Sequence, residues 1–364
     1  MTAYLLAGGG TAGHVNPLLA IADRLRSRDP DAEVLVLGTA EGIEARLVPE
    51  RGYELITIPR LPFPRRPSGA AFRFPKAFAE TVGRIRGIMR ERGVDVVVGV
   101  GGYAAAPAYV AANRESIPLA IHEANARPGI ANRLGARYTS HVGVAFVGTP
   151  LPNATVVGMP LRVEIELLDR FTARQEALGF FGLDADRPTL LVTGGSSGAQ
   201  RINETVSEAI AAILGVGWQV IHITGEYREA VEHRGLTGYH VLKYCDRMEL
   251  ALAVADLAVT RAGTSTVAEL AAIGVPAVFV PYPVGNGEQK FNARHAVKAG
   301  GAIIVHDAAF TPAWVTTELI ELLRNRARVA EMAARMATTG IRDATDRMIA
   351  VIDSAAAAAT STQH

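Results

Sequence analysis

Two sets of short apolar runs, each followed by a stretch with apolar residues at helical spacing, limit what this chain can fold into more than any other feature. The first set lies at residues 4–7, 34–37, 94–98, 119–121, 142–146 and 155–157. The second lies at 189–192, 220–223, 240–242, 257–259, 277–280 and 302–305. Amphipathic segments such as 18–28 fill the intervals. Strands that alternate with helices make right-handed βαβ units and parallel sheets. The two sets meet near Gly158-Met159-Pro160-Leu161-Arg162. They predict an α/β chain of two Rossmann-like domains whose parallel sheets face across a cleft. The expected domains are 1–162 and 163–340, with 341–356 crossing back onto the first after a break at Thr338-Thr339-Gly340. The tail beyond Ala355 is expected to fray.

The totals narrow the class. A length of 364 residues suits two domains, and 36 glycines with 49% hydrophobic residues fit buried parallel strands joined by tight turns. A formal net charge of +1 argues against a nucleic-acid binder, which depends on phosphate contacts. A single cysteine, Cys245, forms no internal disulfide framework and suits a reducing compartment. Residues 1–10 lack the basic leader and cleavage site of a signal peptide. No uncharged apolar run reaches the ~18 residues of a membrane span. A cytosolic α/β protein is expected.

In such sheets the carboxyl ends of strands line the ligand crevice. Gly8-Gly9-Gly10-Thr11-Ala12-Gly13-His14 follows the first run, with Asn16 as expected N-cap and Pro17 at the first helical position. Gly8, Gly10 and Gly13 match the dinucleotide spacing. The acid that should end the second strand is missing, however, since that strand ends Leu37-Gly38-Thr39 with Glu41 two residues late. The loop can still offer amides to a diphosphate. His14 beside it is either a general base or a loop histidine bonded to a carbonyl. Val98-Gly99-Val100-Gly101-Gly102-Tyr103 is a second glycine-rich strand end, and His122-Glu123-Ala124-Asn125, with Asn132 beyond, is a third polar cluster. Glu123 can be a base or a helix-capping partner.

Residues 260–292 bring a helix N-terminus near Thr264–Thr266, the carboxylate of Glu269, and Asn286, Glu288, Gln289 and Asn292 to two consecutive strand ends. A helix N-terminus attracts phosphate, a carboxylate accepts from a sugar diol and amides read hydroxyls, so a nucleotide-sugar site is expected. Against this, Thr266-x-x-Glu269 also fits a capping box that would tie the carboxylate to its own helix. Thr193-Gly194-Gly195-Ser196-Ser197-Gly198-Ala199 opens the second set as the first glycine loop opens the first. Asp184-Ala185-Asp186 precedes a strand rather than following one, and is expected to be a turn rather than a metal site. Residues 60–92 carry nine basic residues (Arg60, Arg65, Arg66, Arg73, Lys76, Arg84, Arg86, Arg90, Arg92) against Glu80 and Glu91, with Phe63, Phe72, Phe74 and Phe78 interleaved. That pattern suits an anionic membrane surface, or a solvated helix over core phenylalanines.

Taken in order over nearly the whole chain, GGGTAGHVNP, GVGGYAAAP, HEANARPGIANR, GMPLR, TGGSSGAQRIN and TRAGTSTVAEL…GEQKFNA resemble the MurG family of bacterial peptidoglycan N-acetylglucosaminyltransferases. The resemblance implies a GT-B fold and inverting transfer of N-acetylglucosamine from UDP-N-acetylglucosamine to the 4-hydroxyl of N-acetylmuramic acid in lipid I, forming lipid II, without metal or cofactor. By position it sets Thr11, Ala12 and Gly13 beside a diphosphate, with His14 nearby, and Asn125 at the transferred sugar. It sets Arg162 and Ser196 on the nucleotide and Cys245 at the uracil. Thr264, Ser265, Thr266 and Glu269 take the diphosphate and ribose, and Gln289 the sugar hydroxyls. Tyr103, Asn132, Asn203 and Asn292 match further motif positions, as acceptor or supporting residues. His14 and Glu123 are both candidate bases. Cys245 stands where a branched aliphatic is common, Ala12 where glycine often stands, and Ser197 where glutamine is frequent. The implied partners are UDP-N-acetylglucosamine, undecaprenyl-linked lipid I, the anionic inner leaflet and cell-wall synthesis proteins, at the cytoplasmic face of the membrane. Two alternatives stand beside it. One is a related GT-B transferase acting on another lipid or small aglycone, set apart by Tyr103, residues 122–125 and Asn132. The other is a UDP-N-acetylglucosamine 2-epimerase, which needs no acceptor and leaves the basic, phenylalanine-rich stretch unexplained.

Overall fold

A computed structural model describes residues 1–64, 69–195, 198–225, 236–284 and 287–361; Arg65, Arg66, Ser196, Ser197 and Asn286 lie outside the described residues. The chain divides into two compact units, Met1–Arg162 with Arg342–His364, and Val163–Ile341.

The first unit holds seven parallel strands: β1 (Ala3–Gly8), β2 (Glu33–Gly38), β3 (Glu54–Thr57), β4 (Val96–Gly101), β5 (Leu119–Glu123), β6 (Val142–Val144) and β7 (Ala154–Val156). Their order is β3-β2-β1-β4-β5-β6-β7. Successive side chains point to opposite faces, and both faces are buried. Leu6, Val36 and Val98 pack on one side against Leu18, Ile21 and Leu25 of the Ala12–Arg28 helix, and against Met348, Ile349 and Ile352 of the Ala344–Ser361 helix. Leu5, Leu37 and Val97 pack on the other against Val82, Ile85 and Met89 of the Gly69–Glu91 helix and Ala105, Ala108 and Ala112 of the next. Each buried Leu, Ile, Val or Met side chain among these contributes about 1.5–3 kcal/mol. The C-terminal helix is also ion-paired to the first helix, Arg24 to Asp346 and Arg28 to Asp353. Exposed pairs of this kind contribute little, so its apolar face is what holds it.

The second unit has β8 (Thr189–Thr193), β9 (Gln219–Ile223), β10 (Tyr239–Leu242), β11 (Ala255–Thr260), β12 (Ala277–Phe279) and β13 (Ala302–Ile304), all parallel in the order β10-β9-β8-β11-β12-β13. Its core sets Leu190, Val192, Val220, Leu257 and Val259 against Ile202, Val206 and Ile210 of the Gln200–Gly215 helix. Strand order reverses between β1 and β4 in one unit and between β8 and β11 in the other. At such switch points ligands bind beyond the carboxyl ends of strands.

Three local expectations differ from the structure. Strand β3 carries no signal in sequence because it is an edge strand with Glu54 and Thr57 exposed. The first helix begins at Ala12 with Thr11 as N-cap, so Pro17 lies inside it and has no amide to give the Gly13 carbonyl. The alanine-rich tail stays helical to Ser361, as the high helix propensity of alanine allows.

Candidate active site

In the first unit the two glycine-rich strand ends touch backbone to backbone. A Cβ on Gly102, whose φ is +91°, would lie 2.4 Å from the Gly9 oxygen, so only glycine permits this approach. Behind the lip sits Glu44, 1% exposed. Its Oε2 accepts from the Gly10 amide at 2.8 Å, and its Oε1 accepts from the Thr39 amide and hydroxyl at 3.0 and 2.8 Å. Glu44 heads the Glu44–Glu50 helix rather than ending β2, which stops at Gly38. It binds the loop itself, and the Gly10 amide is therefore not available to an anion.

His14 is half-buried on the third residue of the helix, with Nδ1 3.2 Å from the Thr11 hydroxyl. A Cβ on Gly101 would sit 3.3 Å from its Nε2 and 3.4 Å from Asn132 Nδ2, so the ring and the amide share one glycine. Burial pushes the His14 pKa below its ordinary value, partly opposed by the Glu44 carboxylate. The imidazole is thus neutral near pH 7.

Glu123, at the end of β5, is 1% exposed and saturated with donors. Oε1 accepts from the Asn125 amide at 2.8 Å and its side chain at 3.4 Å; Oε2 accepts from the Gly129 amide and Asn132 Nδ2, both at 2.9 Å. Burial raises its pKa while these donors pull it back. Asn132 also donates to the His122 carbonyl at 3.1 Å and accepts from the Tyr109 hydroxyl at 2.6 Å. The Tyr109 ring fits only because Gly99 and Gly135 leave room for it. The Glu123 carboxylate therefore holds the 125–132 loop in place.

His122 is fully buried, with Nε2 2.9 Å from the Gly158 carbonyl and burial lowering its pKa to about 4. Between pH 6.5 and 4 the unfolded chain takes up a proton that the folded chain refuses. Folding stability should therefore fall by about 3 kcal/mol across that window through this group. Urea midpoints at pH 7, 5.5 and 4.5 read the loss. A His122→Asn variant with the same pH slope as the natural chain would contradict it.

In the second unit the Thr264–Ile273 helix follows β11, with Gly263 as N-cap. Thr266 and Glu269 lie inside it, so the capping box does not form; Glu269 is half-buried one turn in. Ser265 Oγ and Thr260 Oγ1 are buried without hydrogen-bond partners among the described residues. Gln289 Oε1 accepts from the Ala262 and Tyr282 amides at 3.2 and 2.9 Å. Its carbonyl is thereby occupied, which leaves its NH₂ group as the donor available to a ligand. Asn292, 1% exposed, donates to the Ala262 carbonyl and Thr264 Oγ1 at 3.4 and 3.3 Å, which braces the same turn. Arg261 braces the facing strand end through the Val280 carbonyl at 2.9 Å and Asp307 at 2.5 Å; it lies in the TRAGTSTVAEL motif, but the sequence assigned it no role. Asn203 is buried between the Thr224 carbonyl at 2.8 Å and His222 Nε2 at 3.2 Å, and so supports β9. Cys245 and Arg162 are half-buried, Arg162 closing the first unit. Asp184 Oδ1 accepts from the Asp186 amide at 2.9 Å, a turn ahead of β8. Among the described residues no three His, Cys, Asp or Glu side chains gather as metal ligands.

The basic stretch forms the Gly69–Glu91 helix and its lead-in. Phe63, Phe74 and Phe78 stack on one another with ring centroids 5.3–6.5 Å apart and are half-buried, so Phe72 alone of the four is exposed. Arg86 and Arg90 share Glu115, and Arg92 pairs with Glu33 and Glu54. Only the beginning of the helix keeps the expected exposed, basic and aromatic character. No described helix is long and apolar enough to cross a membrane.

Residues 4–144 match the glycosyltransferase family 28 N-terminal domain and 189–348 its C-terminal domain. A UDP-N-acetylglucosamine–N-acetylmuramyl-(pentapeptide) pyrophosphoryl-undecaprenol N-acetylglucosamine transferase of Leifsonia xyli is 64% identical over 99% of this chain and 100% of its own. The crystal structure of Acinetobacter baumannii MurG is 29% identical, with a TM-score of 0.80 over 97% of this chain and 100% of that one. A putative UDP-N-acetylglucosamine 2-epimerase from Listeria monocytogenes, 14% identical with a TM-score of 0.67 over 97% of this chain and 96% of that one, shares the fold alone. Two parallel α/β units with glycine-rich switch points, and relatives at this identity over the full length, establish that the chain is a glycosyltransferase with the GT-B fold and belongs to the MurG family.

Proposed function

We propose that the chain transfers N-acetylglucosamine from UDP-N-acetylglucosamine to the 4-hydroxyl of the N-acetylmuramoyl unit of lipid I, with inversion and without a metal, as a peripheral protein on the cytoplasmic face of the bacterial membrane. The observation that carries this reading is the 64% identity over full length to a transferase named for that reaction.

His14 serves as the base. In the tautomer with its proton on Nδ1, which lies 3.2 Å from the Thr11 hydroxyl, Nε2 keeps its lone pair, and the lowered pKa keeps it free at neutral pH. Nε2 takes the acceptor hydroxyl proton as that oxygen bonds to the anomeric carbon and the bond to UDP breaks. Glu123 is the weaker candidate, because its four hydrogen-bond contacts are all donors that already use its lone pairs. The leaving diphosphate is stabilised at the start of the Thr264–Ile273 helix, through Thr264, Ser265 and Thr266. Glu269 takes the ribose hydroxyls, Arg162 the nucleotide, Cys245 the uracil edge and Asn125 the transferred sugar. Tyr103 and Asn132 belong to the acceptor side, and Asn203 and Asn292 are supports. Thr11 to Gly13 border the acceptor's path. Phe72 with Arg73 and Lys76 meets anionic lipid; Phe63, Phe74 and Phe78 stiffen that end of the helix rather than insert.

Gln289 can only donate to a sugar oxygen. A Gln289→Glu variant should therefore raise the KM for UDP-N-acetylglucosamine by about tenfold, with the acceptor KM unchanged. An unchanged donor KM would remove this contact. The reaction itself is tested by NMR of the product from UDP-N-acetylglucosamine and a soluble lipid I analogue. A β-(1→4) linkage is expected, and an α linkage or a free epimerised sugar would refute the proposal.

A further inference from the structure

Arg60 follows β3, whose extension is held by the Ile58 amide bonding the Gly38 carbonyl at 3.0 Å. Its exposed guanidinium lies over the Tyr103 ring, 4.8 Å from the centroid. That ring in turn covers Gly10, at 3.9 Å from where a Cβ would be. The stack sets a cation on the lip formed by the two glycine-rich strand ends. Among the described residues no carboxylate pairs with it; the acids that face it, Glu41 and Glu44, act on it only as longer-range charges after Tyr103 itself.

The lip needs such a charge. Glu44 stands behind it and uses the Gly10 amide, so a diphosphate approaching the loop meets a buried negative charge and one amide fewer. A guanidinium offers paired N–H donors to phosphate oxygens in a fixed geometry, and stacking on an aromatic ring fixes the direction in which they point. Resting on the reaction proposed above, we infer that Arg60, held on Tyr103, binds the diphosphate of the lipid-linked acceptor and positions its sugar at the β1/β4 switch point. It is a positioning residue for the acceptor, not for UDP.

Steady-state kinetics with a short-chain, water-soluble lipid I analogue test this. Arg60→Ala should raise the acceptor KM by about tenfold or more, leave the donor KM unchanged, and change kcat less than threefold. Arg60→Lys, which keeps the charge but not the fork, should fall between. With an acceptor whose diphosphate is replaced by a neutral linker, natural and Arg60→Ala chains should differ less than twofold. Equal KM loss on both acceptors, a rise in the donor KM, or no change would each overturn the assignment. Unchanged UDP-N-acetylglucosamine binding by calorimetry shows that the variant is folded. Absence of any transfer by the natural chain would instead overturn the reaction on which the assignment rests.

Discussion

Replacing His14 by alanine is expected to lower kcat by roughly 10²–10⁴-fold, the range for loss of a positioned base, while UDP-N-acetylglucosamine binding persists. Apart from Arg162 and Asn125, the donor-side groups named above lie in the second unit, whereas His14 lies in the first. The pH profile carries the sharper test. Burial holds the His14 pKa below its ordinary 6.5, so kcat/KM should be flat around neutrality and fall as pH drops through a value under 6.5. The residual activity of the variant should lack that limb. Glu44→Gln should move the limb to lower pH, because it removes the one carboxylate that opposes the effect of burial. A limb that survives in His14→Ala would mean that another group is the base.

Replacing Glu123 by alanine is expected to damage the fold rather than the chemistry alone. The substitution strips the Asn132 side chain, itself 1% exposed, and the less buried Asn125 and Gly129 amides of their acceptor. Unsatisfied buried donors cost about 1–3 kcal/mol each, so a loss on the order of 3 kcal/mol is expected. That should lower the melting temperature of the first unit by roughly 6–12 °C in calorimetry. Glu123→Gln should recover little, since its NH₂ group would face donors. A Glu123→Gln variant with natural stability and a kcat lowered by orders of magnitude would instead make Glu123 the base and His14 its neighbour.

Much of the architecture was readable because parallel strands buried on both faces are continuous apolar runs, and because the glycine turns at Gly8–Gly10, Gly101–Gly102 and Gly194–Gly195 stand at their ends. The reading failed where burial or contact is not local. Strand β3 escaped because an edge strand need not be apolar, and the Asn16-Pro17 pair imitated a helix start that Thr11 provides one turn earlier. Glu44 could not be found by spacing: its partner Gly10 lies 34 residues away and meets it only when β1 and β2 pair. The same holds for the polarity of Gln289, which is set by amides at Ala262 and Tyr282. Side-chain types along a motif name the possible chemistry. Which oxygen or nitrogen remains free to perform it is decided by tertiary hydrogen bonds.

Consumption of the donor only when an acceptor takes the sugar is what separates transfer from hydrolysis or epimerisation. It is tested most directly by UDP release from UDP-N-acetylglucosamine, measured with and without a lipid I analogue in the presence of chelator. Release is expected to require the analogue and to be unaffected by the chelator. Donor turnover without acceptor would contradict the transferase reaction, and activity abolished by the chelator and restored by a divalent cation would contradict its metal independence.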